Sequence, residues 1–356
     1  MKVVGILRGF PGLGRVVSGV EIIRKLERKH NANVKIISYL QGYDYVTNYY
    51  TNDTINILNI NDVSSIGIIP VSPSGEKIID DIDLFKPDVI IIDGEPLLLM
   101  TIKLRFPNIK IITLLNPFDI DNPHNKLSSQ LFFKDCYSKA DISIVHGLFT
   151  VKQPEGFEGK FYSVGTVIRQ NVQEITRHSD PSTIKCILGG GTVNSSSKFY
   201  ENTIKIAENA IMLANKHKDL KFEIFCSCKV VFDSIKANSS TSTNLSIHID
   251  IESPERLFSD AKIVIGRAGR NLISELLFHG IPSIVFASNC GIRGAEQSEN
   301  ILAAQNRSKN IIGIDIVEST ENIQNVFEKL LNKQISSPDI LEIKDDNSID
   351  KILMEL

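Results

Sequence analysis

Arg267, Gly269, Arg270, Asn271, Ser274 and Glu275 lie within Ile263-Val-Ile-Gly-Arg-Ala-Gly-Arg-Asn-Leu-Ile-Ser-Glu275, and their types and spacing suit an anion site. An apolar run ends in a glycine turn, a helix begins, and a carboxylate follows two helical turns beyond Arg267. Gly266 and Gly269 let the backbone bend and approach a ligand where a Cβ would obstruct it. The helix start then offers unpaired N–H groups to the anion. Helical periodicity puts Leu272, Ile273, Leu276 and Leu277 on one arc and Asn271, Ser274 and Glu275 on the other, so Glu275 is expected to face away from the core. At about 1.5 Å per residue Glu275 stands roughly 9 Å along the axis from Gly269, where it can accept hydrogen bonds from ribose hydroxyls while phosphates sit at the helix start. A nucleoside diphosphate fits that order. The plain alternative is a surface glutamate on an amphipathic helix; the turn, the arginines, Gly280-Ile-Pro282 and Glu296-Gln297-Ser-Glu-Asn300 weigh against it.

The first half offers a second set of reactive groups. Gly9-Phe-Pro-Gly12-Leu-Gly14-Arg15 follows an apolar run and opens a helix, yet it is neither a dinucleotide fingerprint nor a P-loop. Its extra glycines suggest close approach of Gly14 and Arg15 to a ligand. An arginine cannot serve as a general base near neutrality, but it can hold a phosphate or an acidic acceptor by bidentate hydrogen bonding. Asp93-Gly-Glu95-Pro96 stands at the end of another apolar run, where either carboxylate could take a proton; a helix cap and a first-turn charge are the alternative. Asp119, His124 and Asn125 share the long loop Asn116-Pro-Phe-Asp-Ile-Asp-Asn-Pro-His-Asn125, and its histidine has a pKa suited to proton transfer.

These groups need elements to place them. Strands rich in Val and Ile without alternation are expected at residues 3–7, 34–38, 89–92, 110–114 and 142–145, with helices near 15–29, 97–105 and 125–139 between them. The second half repeats the scheme, with strands at 185–188, 222–225, 246–249, 263–265, 283–286 and 311–314 and a helix starting near Lys198. Two doubly wound α/β domains of Rossmann-like type follow, joined around residues 164–182, with ligands expected beyond the carboxyl ends of the strands. The expected boundaries are 1–166 for the first domain, 167–340 for the second and 341–356 for a tail or helix. Residues 238–244 read as a solvated loop.

With 356 residues the chain exceeds the limit of ~250–300 for one core, which agrees with two domains. A net charge of −3 gives no basic excess for nucleic acid, and the absence of Trp with 7% aromatic residues argues against polysaccharide hydrolysis. The 5 cysteines fit neither a disulfide framework nor zinc-ligand spacing. Met1-Lys2 leads straight into a strand, and no apolar run approaches the ~20 residues of a spanning helix, so a cytoplasmic protein is expected.

The sequence resembles the GT-B glycosyltransferases that use nucleotide-sugar donors, nearest to the MurG-like branch that makes lipid II in peptidoglycan synthesis. Arg267, Gly269, Ser274, Glu275, Gly280, Pro282, Gln297 and Asn300 stand in the register of that branch's Arg-x-Gly-x-x-x-x-Ser-Glu, Gly-x-Pro and Gln-to-Asn segments. The resemblance implies two domains facing a cleft, a diphosphate and ribose lined by Arg270 to Glu275, and a donor sugar met by Glu296 and Gln297. It implies that Gly191 and Thr192 meet the donor phosphates and that Arg169, in Val164-Gly-Thr-Val-Ile-Arg169, reaches the diphosphate. It also implies that the last helix returns to the N-terminal domain; a frayed tail is the alternative.

The resemblance breaks at the base. The family's first loop ends in a histidine where this chain has Arg15, which leaves Glu95 or Asp93 to remove the acceptor's proton. The expected reaction is inverting transfer of a sugar, UDP-linked on the resemblance, to a hydroxyl on a small molecule, glycan or lipid-linked acceptor. No cofactor or metal is expected, since helix dipoles and arginines can stabilise the leaving diphosphate; Asp119-Ile-Asp121 has metal spacing but lies in the acceptor half. A nucleotide-sugar hydrolase or epimerase on the same fold, and a noncatalytic donor-binding subunit, stay open. Apolar and basic residues in 96–106 and 132–134 would suit peripheral contact with an anionic membrane, although helices packed on a sheet explain them too.

Overall fold

Short Val- and Ile-rich runs bounded by turn-forming residues become parallel strands throughout the chain. The computed structural model describes residues 1–10, 12–50, 53–58, 65, 67–120, 122, 125–189, 197–226, 228–238, 242–249, 253–289, 291–332 and 347–354. They fall into two compact units, one of residues Met1–Val167 with Asp345–Leu356, the other of Ile168–Lys344.

In the first unit β1 (Lys2–Leu7), α1 (Gly14–His30), β2 (Asn33–Ser38), α2 (Gln41–Tyr49), β3 (Asp53–Asn56), α3 (Pro73–Phe85), β4 (Val89–Asp93) and α4 (Pro96–Arg105) lead into β5 (Lys110–Leu115), α5 (Leu127–Tyr137), β6 (Ile142–His146) and β7 (Phe161–Val164). The strands form one seven-stranded parallel sheet in the order β3-β2-β1-β4-β5-β6-β7. Successive side chains alternate between faces: Val3, Leu7, Ile91 and Leu114 join the core containing α1, while Val4, Ile6, Ile90 and Ile92 join the core containing α3 and α4. Burial on both faces is why these strands read as continuous apolar runs. The order of the sheet reverses between β1 and β4, so the turns that follow them open at a topological switch point.

The second unit runs through α6 (Gln170–Gln173), β8 (Thr183–Ile187), α7 (Ser197–Lys216), β9 (Lys221–Cys226), α8 (Lys229–Asn238), β10 (Leu245–Ile249), α9 (Pro254–Phe258), β11 (Ala261–Arg267), α10 (Arg270–His279), β12 (Ser283–Ala287), α11 (Gly291–Gln305), β13 (Ile311–Asp315) and α12 (Thr320–Asn332). Its six parallel strands follow the order β10-β9-β8-β11-β12-β13, with the switch point between β8 and β11. Both halves therefore have the Rossmann-like α/β architecture expected from the sequence. Among the described residues no helix is long and apolar enough to cross a membrane.

The last helix, α13 (Asn347–Met354), packs on α1 of the first unit. Ile349, Ile352 and Leu353 enter the core beside Val20 and Ile23. At its rim the Lys29 ammonium lies 3.3 Å from the Asp350 carboxylate, and His30 Nε2 lies 2.6 Å from the Leu353 carbonyl oxygen. Basic residues Arg28, Lys29 and His30 end α1, where they also oppose the negative end of its dipole. Leu353→Ala should destabilise the first unit by about 2–5 kcal/mol, the range for deleting a fully buried leucine. Urea unfolding followed by tyrosine fluorescence checks this, and a loss below about 0.5 kcal/mol would show that the helix is not part of the core.

Candidate active site

The carboxyl ends of β1, β4 and β5 collect a charged cluster in the first unit. Arg15 opens α1, Asp93 ends β4, and Asp119 sits in the turn after β5. Arg15 Nη1 donates to Asp93 Oδ1 at 2.5 Å and Nη2 donates to Asp119 Oδ1 at 2.6 Å. The other oxygen of Asp119 accepts the Asn116 N–H at 2.7 Å, which ties the loop to itself. Burial alone would depress the Arg15 guanidinium, but Asp119 and Asp93 outweigh it and hold its pKa well above the ordinary value. Tyr137, from the end of α5, is buried beside this group, and burial with the nearby Asp119 charge raises its phenol.

Gly94 follows Asp93 with φ +84, and a Cβ there would lie 2.9 Å from the Cδ atoms of both Arg8 and Arg15. Two long cationic side chains can flank the turn only because the residue is glycine. Arg8 Nη1 donates to the Gly94 carbonyl and Nε to the Phe10 carbonyl, both at 2.9 Å. Glu95 comes next and is 4% exposed. Its Oε1 accepts from the Tyr39 hydroxyl and lies 4.0 Å from Arg8 Nε; Oε2 makes no hydrogen bond among the described residues. Burial raises the Glu95 pKa, and the opposing influence of Arg8 and the Tyr39 hydrogen bond does not cancel it.

Of the residues singled out in the first half, the structure thus gathers Arg15, Asp93, Glu95 and Asp119. Gly14 begins α1 beside them, and a Cβ there would meet no atom within 4 Å. The anionic ligand expected for Arg15 is replaced by two carboxylates of the chain itself. Asn125 is half-buried in the turn before α5, where its carbonyl accepts from Gln130; His124 and Asp121 lie outside the described residues. Arg8, Tyr39 and Tyr137 were not singled out. The signal for Arg8 and Tyr39 was their position directly after β1 and beside the end of β2, where ligand-facing residues collect in such sheets.

The second unit builds its own cluster around α10. Gly269 occupies the cap position and supplies no side-chain cap hydrogen bond, and a Cβ there would meet nothing within 4 Å. Arg270 and Ser274 are buried, Asn271 is half-buried, and the Ser274 hydroxyl donates to the Arg270 carbonyl at 2.8 Å. Glu275 is only 3% exposed, although its helical position was expected to face away from the core. The reason is Arg169, whose Nε and Nη2 donate to Oε1 and Oε2 at 2.6 and 2.8 Å and whose chain segment covers that face. Arg169, expected to reach a diphosphate, is thus paired with Glu275 in the structure.

Arg267 turns the other way. It shares a face of β11 with Ile263 and Ile265, which pack in the core containing α7, and its guanidinium lies 3.9 Å from the Phe199 ring centre and donates to the Thr203 hydroxyl. The Gln297 Oε1 atom accepts the Ser288 N–H at 2.7 Å, and the Asn300 side chain donates to the Ala268 carbonyl at 3.3 Å. Those two amides brace the turns after β12 and β11. Glu296 is half-buried on α11, and Gly191 and Thr192 lie outside the described residues. Among the described residues no group of His, Cys, Asp and Glu has the arrangement of a metal site.

Residues 197–348 match the glycosyltransferase family 28 C-terminal domain, a span that contains α10, Glu275, Gln297 and Asn300. This chain is a glycosyltransferase. No curated protein matches its sequence. Its GT-B fold is similar to that of MurG from Acinetobacter baumannii, at 15% identity and a TM-score of 0.59 over 100% of this chain and 99% of that one. UDP-GlcNAc 2-epimerase from Neisseria meningitidis, bound to UDP-GlcNAc, is similar at 13% identity and a TM-score of 0.69, covering 100% of this chain and 99% of the other. UGT89C1 from Arabidopsis thaliana, complexed with UDP-L-rhamnose, gives 11% identity and 0.65 over 99% and 98%. Apart from its last four residues the matched span lies in the second unit, and it includes none of the Arg15 cluster, so the chemistry of that cluster rests on its own geometry.

The bidentate Arg169–Glu275 pair generates a prediction. Its side chains are 16% and 4% exposed, so removing one partner strands a largely desolvated charge. Arg169→Ala should cost about 3 kcal/mol, the lower end for a broken buried pair, and the double variant with Glu275→Ala should recover part of that loss. Chemical denaturation of the four proteins of the cycle measures it; strictly additive losses would show that the pair is not coupled.

Proposed function

We propose that this glycosyltransferase moves a sugar from a uridine diphosphate to a hydroxyl acceptor with inversion at the anomeric carbon and without a divalent metal. The observation that carries the reading is the asymmetry of Glu95: Oε1 is engaged by Tyr39, while Oε2 has no hydrogen-bond partner among the described residues and belongs to a carboxyl whose pKa burial raises. A carboxylate with a pKa nearer neutrality is a better general base. Asp93 shares its carboxylate with Arg15, which makes it a positioning residue and leaves Glu95 as the base.

In the proposed step the acceptor hydroxyl gives its proton to Glu95 Oε2 as its oxygen bonds to the anomeric carbon. The bond from that carbon to the diphosphate breaks on the opposite face, and the electron pair leaves on phosphate oxygen. The negative charge gathers where backbone N–H groups at the start of α10 and the Arg270 and Asn271 region supply positive potential. Glu275, oriented by Arg169, accepts from the ribose hydroxyls, and Glu296 serves the sugar; Gln297 and Asn300 act through the turns that they hold. The UDP-GlcNAc and UDP-L-rhamnose named for two structural neighbours support uridine as the base.

A lipid-linked acceptor is the class that the first unit's surface favours. Leu97 and Leu104 on α4 and Leu127, Leu131 and Phe132 on α5 are exposed, with Lys103, Arg105 and Lys134 on the same helices. Apolar side chains next to cations suit peripheral contact with an anionic bilayer. Epimerases share the fold, so conversion of the sugar nucleotide without an acceptor is the second reading.

UDP-sugars should raise the melting temperature of the protein, because a ligand that binds only the native state stabilises it. Glu95→Gln should lower kcat by about 10²–10⁴-fold with UDP affinity unchanged, and EDTA should leave turnover unaffected. Mass spectrometry of reactions with and without a hydroxyl acceptor separates the readings: rapid acceptor-free turnover would favour the epimerase or hydrolase, and full activity of the variant would remove Glu95 as base.

A further inference from the structure

Tyr39 follows β2 immediately and is 1% exposed. Its backbone is fixed from several sides. The Tyr39 carbonyl accepts N–H bonds from Gly42 at 3.1 Å and Tyr43 at 3.4 Å, and a Cβ at Gly9 would lie 1.9 Å from that oxygen. Leu40, the next residue, takes φ 52 and ψ −132, a backbone conformation that a branched side chain adopts only when its surroundings impose it. The loops after β1 and β2 thus interlock around one residue, and its side chain ends on Glu95.

We infer that Tyr39 is a positioning residue of this site: its hydroxyl holds Glu95 Oε1 and so directs Oε2 toward the acceptor's proton. The inference rests on the reading of Glu95 as base. Burial, and then the Glu95 charge, raise the Tyr39 phenol well above its ordinary value, so it remains an O–H donor across the working pH range. A donor aimed at a carboxylate favours the charged form, which opposes the effect of burial on Glu95. The other charged or titratable groups around that carboxyl are Arg8 from the end of β1, Arg15 from α1, Asp93 from β4 and Tyr137 from α5. Arg8 and Arg15 also favour ionisation and Asp93 opposes it, so the loss of Tyr39's hydrogen bond has a definite sign.

The test is the pH profile of kcat/KM for sugar transfer by the full chain. Without the hydroxyl, Glu95 gains a proton more readily, so Tyr39→Phe should move the acid limb up by about one to two pH units and activity should recover on the alkaline side. Site-specific 3-fluorotyrosine at position 39 keeps the ring and strengthens the donor, so it should move the limb down. It supplies the second reading if Tyr39→Phe does not fold. An acid limb unmoved by either replacement would overturn the inference and leave Tyr39 a packing residue. Glu95→Gln is the separate control: loss of turnover keeps the base assignment whatever Tyr39 does, whereas a retained parent profile refutes the base assignment itself.

Discussion

The sharing of one guanidinium between two carboxylates organises the first unit's site. Arg15 comes from α1, Asp93 from β4 and Asp119 from the turn after β5, residues 78 and 104 positions from the arginine in sequence. Taking such charges out of water is costly, and good geometry repays that cost only in part. The network therefore contributes arrangement more than stability. It closes the base of three strand-to-helix connections and neutralises Asp93. Glu95, two residues away, is not ion-paired with Arg15, and its engaged oxygen is held by the Tyr39 hydroxyl. Gly94 makes the arrangement sterically possible, because a Cβ there would crowd the side chains of both Arg8 and Arg15.

The second unit uses the same device differently. Arg169 grips Glu275 with two parallel hydrogen bonds and fixes the carboxylate on α10, while Gly269 supplies no side-chain cap to that helix. This is the half that matches a known glycosyltransferase domain. The fold as a whole is common to transferases and epimerases, and fold alone does not select a reaction. The proposed reaction therefore rests on the geometry of particular groups such as Glu95 and Tyr39.

Central strands were legible in the sequence because parallel strands covered on both faces read as unbroken apolar runs, as at Val89–Asp93 and Ser283–Ala287. The short strands β3 and β7, the sequences Asp-Thr-Ile-Asn and Phe-Tyr-Ser-Val, gave no such signal, since edge strands are half-covered and mixed in composition. Helix α3 was hidden behind Ser72-Pro-Ser-Gly75, which reads equally well as a turn. At the site, residue types at strand ends were visible and their partners were not. Nothing local shows that Arg15 is spent on Asp93 and Asp119, that Arg169 covers Glu275, or that Arg267 turns under α7 to stack on Phe199. Those contacts join distant parts of the chain, and helical periodicity alone put Glu275 on the wrong side of the burial boundary.

The central claim is that burial tunes Glu95 for proton transfer, and its protonation can be observed directly. Carbon-13 NMR titration of side-chain carboxyls, with the Glu95 resonance assigned by its loss in Glu95→Gln, reports the midpoint of that group in the folded protein. The account predicts a midpoint above the ordinary glutamate value of about 4.3. A midpoint at or below that value would contradict it, because the carboxylate would then be too weak a base for the role assigned to it.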